Sequence, residues 1–161
     1  MFNLKAEFYL KIIFLFSFIA LISAFFIEYV LGHQPCNLCL IERVPYMLSI
    51  IIIVTNFLIK KNQRFLVLLL IITFVFSFTI SFYHYGIEQG SFQESSVCGV
   101  KNLSESLTKK DLLKQLSEKT IICSDVTFRI FGLSLTSINI VISLLFIITL
   151  LIIFNKYEKN R

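Results

Sequence analysis

Long apolar runs broken by short polar intervals set the pattern of this chain. From Ile12 to Leu31 twenty residues pass with a single charge, Glu28, which predicts a first helix long enough to cross the hydrocarbon core of a bilayer. Glu28 falls within a turn of its far end and reads as an interfacial acid facing water, with a functional role inside the bundle as the alternative. A second run, about Leu40 to Ile59, opens with Glu42 and Arg43, and Pro45 sits near its expected start, where proline is tolerated. Lys60, Lys61 and Arg64 form a short basic connector, and a third run follows from Phe65 to Tyr85. So brief a link forces an antiparallel pair.

Apolar character then stops from Gly86 to Ile130 and resumes in a fourth run from Phe131 to Phe154. Within the polar interval, Thr108 to Asp111 resembles a capping box. Leu112, Leu113 and Leu116 share one side of the helix it would open, which predicts a short amphipathic helix at the membrane surface or on the bundle mouth. The expected fold class is all-α: an integral membrane four-helix bundle, a single domain over residues 1–161, with one long loop over 86–130. Composition agrees, since 57% of the 161 residues are hydrophobic and only 16% are charged. The first run exceeds a typical signal-peptide core and lacks a clear small-residue cleavage site, so it is expected to be retained.

Charge sets the orientation. With four spans both termini share a side, and that side collects Lys5, Lys11, Lys60, Lys61, Arg64, Lys156, Lys159 and Arg161 in short segments. The positive-inside rule makes it the cytoplasm. The six basic residues of the long loop are offset by six acids and carry less topological weight because the loop is long. The net charge of +5 is thus distributed by side of the membrane and gives no basic patch for nucleic acid.

Candidate chemistry lies on the opposite face. Cys36 and Cys39 stand in Gln34-Pro35-Cys36-Asn37-Leu38-Cys39, at the mouth of the second run, and Cys98 and Cys123 lie in the long loop with twenty-four residues between them. C-x-x-C spacing lets two sulfurs cycle between dithiol and disulfide, and a helix N-terminus favours a thiolate. A zinc half-site and a static disulfide are the bland alternatives. Four cysteines on the oxidising face and none elsewhere read as two pairs, naturally Cys36 with Cys39 and Cys98 with Cys123. A structural zinc centre would need four thiolates to converge, and the second spacing is not a C-x-x-C repeat, so no metal is expected.

These features together resemble the DsbB family of bacterial disulfide bond formation proteins. The resemblance is carried by Pro35-Cys36-Asn37-Leu38-Cys39-Leu40-Ile41-Glu42-Arg43, by Tyr83-His84-Tyr85-Gly86-Ile87-Glu88 and by Phe131-Gly132-Leu133-Ser134 with Asn139. It implies a protein-dithiol:quinone oxidoreductase of the inner membrane, with cysteines on the periplasmic side. A reduced DsbA-like thioredoxin-fold partner would attack the loop disulfide at Cys98, with Cys123 resolving. Cys36–Cys39 would reoxidise the loop pair, and Cys39 would pass two electrons to a ubiquinone or menaquinone. Such a chain has a physical rationale, because a DsbA-type dithiol near −120 mV needs a more oxidising acceptor, and a bilayer-dissolved quinone meets a thiolate only at the membrane boundary.

Arg43, one helical turn after Cys39, shares its face. The family match implies that it holds the thiolate and a quinone oxygen, whereas position alone also allows snorkelling or a pair with Glu42. His84 is expected to donate to the other quinone oxygen or shuttle a proton, and Glu88 and Asn139 to be structural. A membrane scaffold with two static disulfides, or an enzyme like vitamin K epoxide reductase, are the competing classes. The latter commonly carries its C-x-x-C late in the chain, whereas here it follows the first span.

Overall fold

A computed structural model describes residues 4–58, 63–93, 98, 123, 129–130 and 132–159. Helices α1 (Leu4–Tyr29), α2 (Asn37–Leu58) and α3 (Gln63–Glu88) are followed by strands β1 (Arg129–Ile130) and β2 (Leu133–Ser134) and by helix α4 (Leu135–Lys159). All four helices are long and apolar enough to span a bilayer. Helix is the form a span must take, because lipid offers no partner to an open backbone N–H or carbonyl. The protein is an all-α membrane bundle.

Its surface is apolar as well as its core, unlike that of a soluble domain, and small polar residues sit between the helices. Large apolar side chains such as Phe8, Ile51, Phe82 and Ile152 point outward, while Ser17, Ser49, Ser77, Ser81 and Ser143 are fully buried. Small residues let helices approach closely in lipid, and their hydroxyls bond across the contact. Ser49 donates to Ser17 at 3.0 Å between α2 and α1, and Ser143 donates to Ser77 at 3.1 Å between α4 and α3. At one end the core is aromatic: Phe74 is fully buried, with edge-to-face contacts to Phe146 at 5.0 Å and Tyr46 at 6.3 Å. At the other end a second cluster gathers Cys36, Leu38, Ile87, Cys98 and Cys123.

The boundaries differ from expectation in ways that matter. Helix α2 begins at Asn37 rather than Leu40, so Pro45 lies well inside it and is buried, not near its start. Helix α3 runs on to Glu88, which places His84 and Glu88 on one helix where the sequence closes the third span at Tyr85. Helix α4 starts at Leu135 rather than at Phe131, because Leu133 and Ser134 form the second strand of a two-stranded hairpin, with Arg129 opposite Ser134 and Ile130 opposite Leu133. Gly132 supplies the turn with φ +83°, a conformation that L side chains rarely adopt. The expected amphipathic helix after Thr108 lies outside the described residues.

Candidate functional site

Helix α2 starts on a cysteine. The Cys36 carbonyl accepts the first helical hydrogen bond from Leu40 at 3.2 Å, and its sulfur accepts from the Cys39 N–H at 3.2 Å. Cys36 is therefore the N-cap, its sulfur taking the place usually held by a Ser or Asp oxygen at the positive end of the helix dipole. The two thiols are free, with Cys36 Sγ 2.8 Å from Cys39 Sγ, where the sequence suggested a closed pair. The hydrogen bond from Cys39 pulls the Cys36 thiol down to about 4, against the opposing effect of burial and with further help from the His84 ring.

His84 comes from α3 and is buried. Its Nε2 lies 3.6 Å from Cys36 Sγ, and its Nδ1–H donates to Glu42 Oε1 at 2.8 Å. Glu42 is held in turn, because Asn139 Nδ2 donates to Glu42 Oε2 at 3.0 Å and to Ser81 Oγ at 2.7 Å, and the Tyr46 hydroxyl donates to Asn139 Oδ1. Three helices thus fix one imidazole. Glu88, one turn after His84, accepts from Thr136 Oγ1 at 2.5 Å through Oε1, which lies 3.9 Å from His84 Nε2. Glu88 Oε2 is buried and has no hydrogen-bond partner among the described residues.

Arg43 does not pair with Glu42 as position alone allowed. Its Nη1 donates to Glu28 Oε2 on α1 at 2.5 Å, and its guanidinium lies 5.2 Å from the centre of the Phe25 ring. Glu28 is accordingly an interior partner, with its side chain 20% exposed, and not an acid facing water. The pair ties α1 to the cysteine turn of α2 and orients the guanidinium fork.

A cavity of about 370 Å³ joins these groups. Its apolar walls come from α1 and α4, including Ile19, Ile27, Ile138 and Ile142, and its polar end carries Cys36, Cys39, Glu42, Arg43, His84 and Glu88. Cys123 also lines it. Cys98 and Cys123 form a disulfide with a Cα–Cα separation of 5.5 Å, and both are buried against Cys36, Leu38 and Ile87, with Tyr83 packed alongside. All four cysteines therefore occupy one cluster. Gly86 allows this end to close: its carbonyl accepts from Ser91 and Phe92 at 2.8 and 3.1 Å, and a Cβ there would overlap the Phe92 ring, which stacks on Tyr83.

The residues named from sequence as candidates, Cys36, Cys39, Arg43, His84, Cys98 and Cys123, all fall within or against this cavity. Sequence reasoning gave Glu42 only as a possible partner of Arg43 and assigned Glu88 and Asn139 to structure. The available signal was their position, because ionisable residues near span ends that face a bundle interior are costly and pair with functional groups.

Among known proteins, the profile of a family described as "Disulfide bond formation protein DsbB" matches residues 6–153. An uncharacterized protein of Rickettsia prowazekii, RP370, is 30% identical over 147 residues, covering 90% of this chain and 86% of its own length.

Proposed function

The chain belongs to the DsbB family, and on that premise we propose that it is a thiol:quinone oxidoreductase that reoxidises a periplasmic DsbA-like dithiol partner. The observation that carries this reading is the gathering of both cysteine pairs at one cavity, with Cys123 lining it beside Cys36 and Cys39. Two disulfides serving only as braces have no need to meet, whereas pairs that exchange electrons must come within thiolate attack of one another.

The donor set fits a quinone. A flat apolar ring is suited to the walls from α1 and α4, and the polar end offers the Arg43 guanidinium as a cationic donor with the His84 ring beside it. Bound there, the quinone supplies a two-electron, two-proton acceptor. The chain's residues do the rest. The partner's thiolate attacks Cys98 and expels Cys123, whose thiolate then attacks the helical disulfide at Cys36 and releases Cys39. Collapse of the mixed disulfides leaves the partner oxidised, the loop pair restored and Cys36–Cys39 as a dithiol. Reclosing Cys36–Cys39 would release the two electrons and two protons that a bound quinone would accept.

Cys36 is suited to ionise because it is the helix N-cap and accepts hydrogen bonds. Arg43 stabilises negative charge that develops beside Cys39, and Glu42 holds His84 so that Nε2 faces the sulfurs. With both termini in the cytoplasm, the cysteine end faces the periplasm.

Anaerobic mixing of the lipid-supplied protein with a reduced DsbA-like partner and a soluble quinone tests the proposal through quinone absorbance. Stoichiometric loss of quinone with oxidation of the partner is expected. Absence of turnover, with both disulfides remaining closed, would leave the family fold without this activity.

A further inference from the structure

We propose that the reduced Cys36–Cys39 pair, with His84 and Glu88, forms a binding site for a thiophilic divalent cation of the zinc type, mutually exclusive with the Cys36–Cys39 disulfide. One ligand atom from each of Cys36, Cys39 and His84 lies within 4.8 Å of the other two. Tetrahedral zinc with ordinary bond lengths places sulfur and nitrogen ligands about 3.6 Å apart and two sulfurs about 3.8 Å apart. The 3.6 Å between Cys36 Sγ and His84 Nε2 already meets the first value. The sulfurs, 2.8 Å apart, must open by about 1 Å to meet the second.

Two further observations point to a ligand. Glu42 binds His84 through Nδ1, leaving Nε2 turned to the sulfurs, the carboxylate–histidine arrangement that fixes a metal-binding imidazole. Glu88 presents Oε2 without a hydrogen-bond partner among the described residues, on a side chain only 5% exposed. Its other oxygen is 3.9 Å from His84 Nε2, so a modest rotation offers Glu88 as the fourth ligand. All four residues line the same cavity, so a cation can enter without unfolding the bundle.

Binding is proton exchange, not redox. The cation displaces whatever thiol proton remains on the pair, both sulfurs bind as thiolates, and the divalent charge neutralises the two thiolates in a low-dielectric interior. A cation held this way occupies the electron pairs that a sulfur–sulfur bond needs, so the oxidised protein has no site. This inference concerns the helical pair alone and does not rest on the proposed enzyme activity.

The test uses the full chain carrying Cys98→Ser and Cys123→Ser, so that loop thiols do not contribute, purified in detergent. Titration with Zn²⁺ against a chromogenic chelator is expected to give one equivalent bound by the reduced protein and none after oxidation with diamide. Co²⁺ in place of Zn²⁺ should show sulfur-to-metal charge transfer and the visible bands of tetrahedral coordination. His84→Gln and Glu88→Gln should each weaken affinity by about tenfold or more. Zinc loaded first should protect the pair from diamide. The oxidised and reduced comparison needs no substitution at the site, so misfolding of a site variant does not obscure the result. Equal zinc binding by both redox forms, a cobalt spectrum unchanged by His84→Gln, or diamide oxidation as fast with zinc as without would each overturn the site.

Discussion

The two cysteine pairs make opposite use of the chain. Cys36 and Cys39 share one turn at the start of α2 and stand as thiols, with the backbone N–H of one bonded to the sulfur of the other. Cys98 and Cys123 are 25 residues apart in sequence, form a disulfide and take their place by packing against the first pair. A helix dipole, His84 and a membrane cavity bear on the helical pair. The loop pair is buried against the helical pair. Under the proposed function, a shared location with different electrostatics would let one pair trade electrons with a lipid-soluble quinone and the other with a protein.

Removing a sulfur from each pair should separate the two roles most sharply. Cys39→Ala is expected to lower steady-state quinone reduction at least about a thousandfold while the loop disulfide still exchanges once with a reduced partner. Loss of that single exchange as well would merge the pairs into one functional unit. Cys123→Ala should instead accumulate an adduct between Cys98 and the partner, visible on non-reducing gels. An adduct through Cys36 or Cys39 would reverse the order of the relay.

Arg43 offers an intermediate effect. Loss of a charge-assisted contact in a low-dielectric site is worth about 2–4 kcal/mol, so Arg43→Ala should slow quinone turnover by tens to several hundredfold and leave exchange at the loop pair nearly intact. Arg43→Lys should recover only part of it, because the planar fork that meets Glu28 is lost. Near-normal single-turnover quinone rates in both variants would remove Arg43 from the site.

The smallest effect concerns pH. A thiol lowered to about 4 is ionised from there upward, so alkylation of Cys36 by a small uncharged reagent should change less than about twofold between pH 8 and pH 5. An ordinary thiol would lose about tenfold per unit over that range. Cys39→Ala removes the main cause of the lowering but leaves His84 and the residue-39 N–H, so it should steepen the pH dependence toward that of an ordinary thiol. Peptide mass spectrometry after timed alkylation distinguishes the two, and a steep fall in the unaltered protein would refute the thiolate.

Much of the fold was legible because lipid imposes a coarse requirement: an apolar run of span length must be helical. Boundaries were less so. Asn37 and Leu38 carry no apolar periodicity that marks a helix start, and the start at Asn37 is set by Cys36 acting as cap. Phe131 to Ser134 reads as apolar, yet Gly132 favours the turn of a hairpin. At the site, C-x-x-C spacing announced itself locally, whereas the partners of His84 and Arg43 were hidden. Glu42 and Asn139 are far apart in sequence, and only the packing of α2, α3 and α4 makes them neighbours. Glu28 looked like a surface acid because the sequence does not show which face of α1 meets Arg43.

Pro45 has a mechanical consequence. Being inside α2, it has no N–H to give the carbonyl of Ile41, so one rung of the helical ladder is missing just after the segment bearing Cys39, Glu42 and Arg43. The first two turns form a short lever jointed to a longer shaft. Closing a sulfur–sulfur bond from 2.8 Å requires a travel of about 0.8 Å, and opening it for a larger guest a similar travel the other way. A missing rung lowers the cost of taking up either stroke locally, above the part of α2 that packs through Tyr46 on the Phe74 ring.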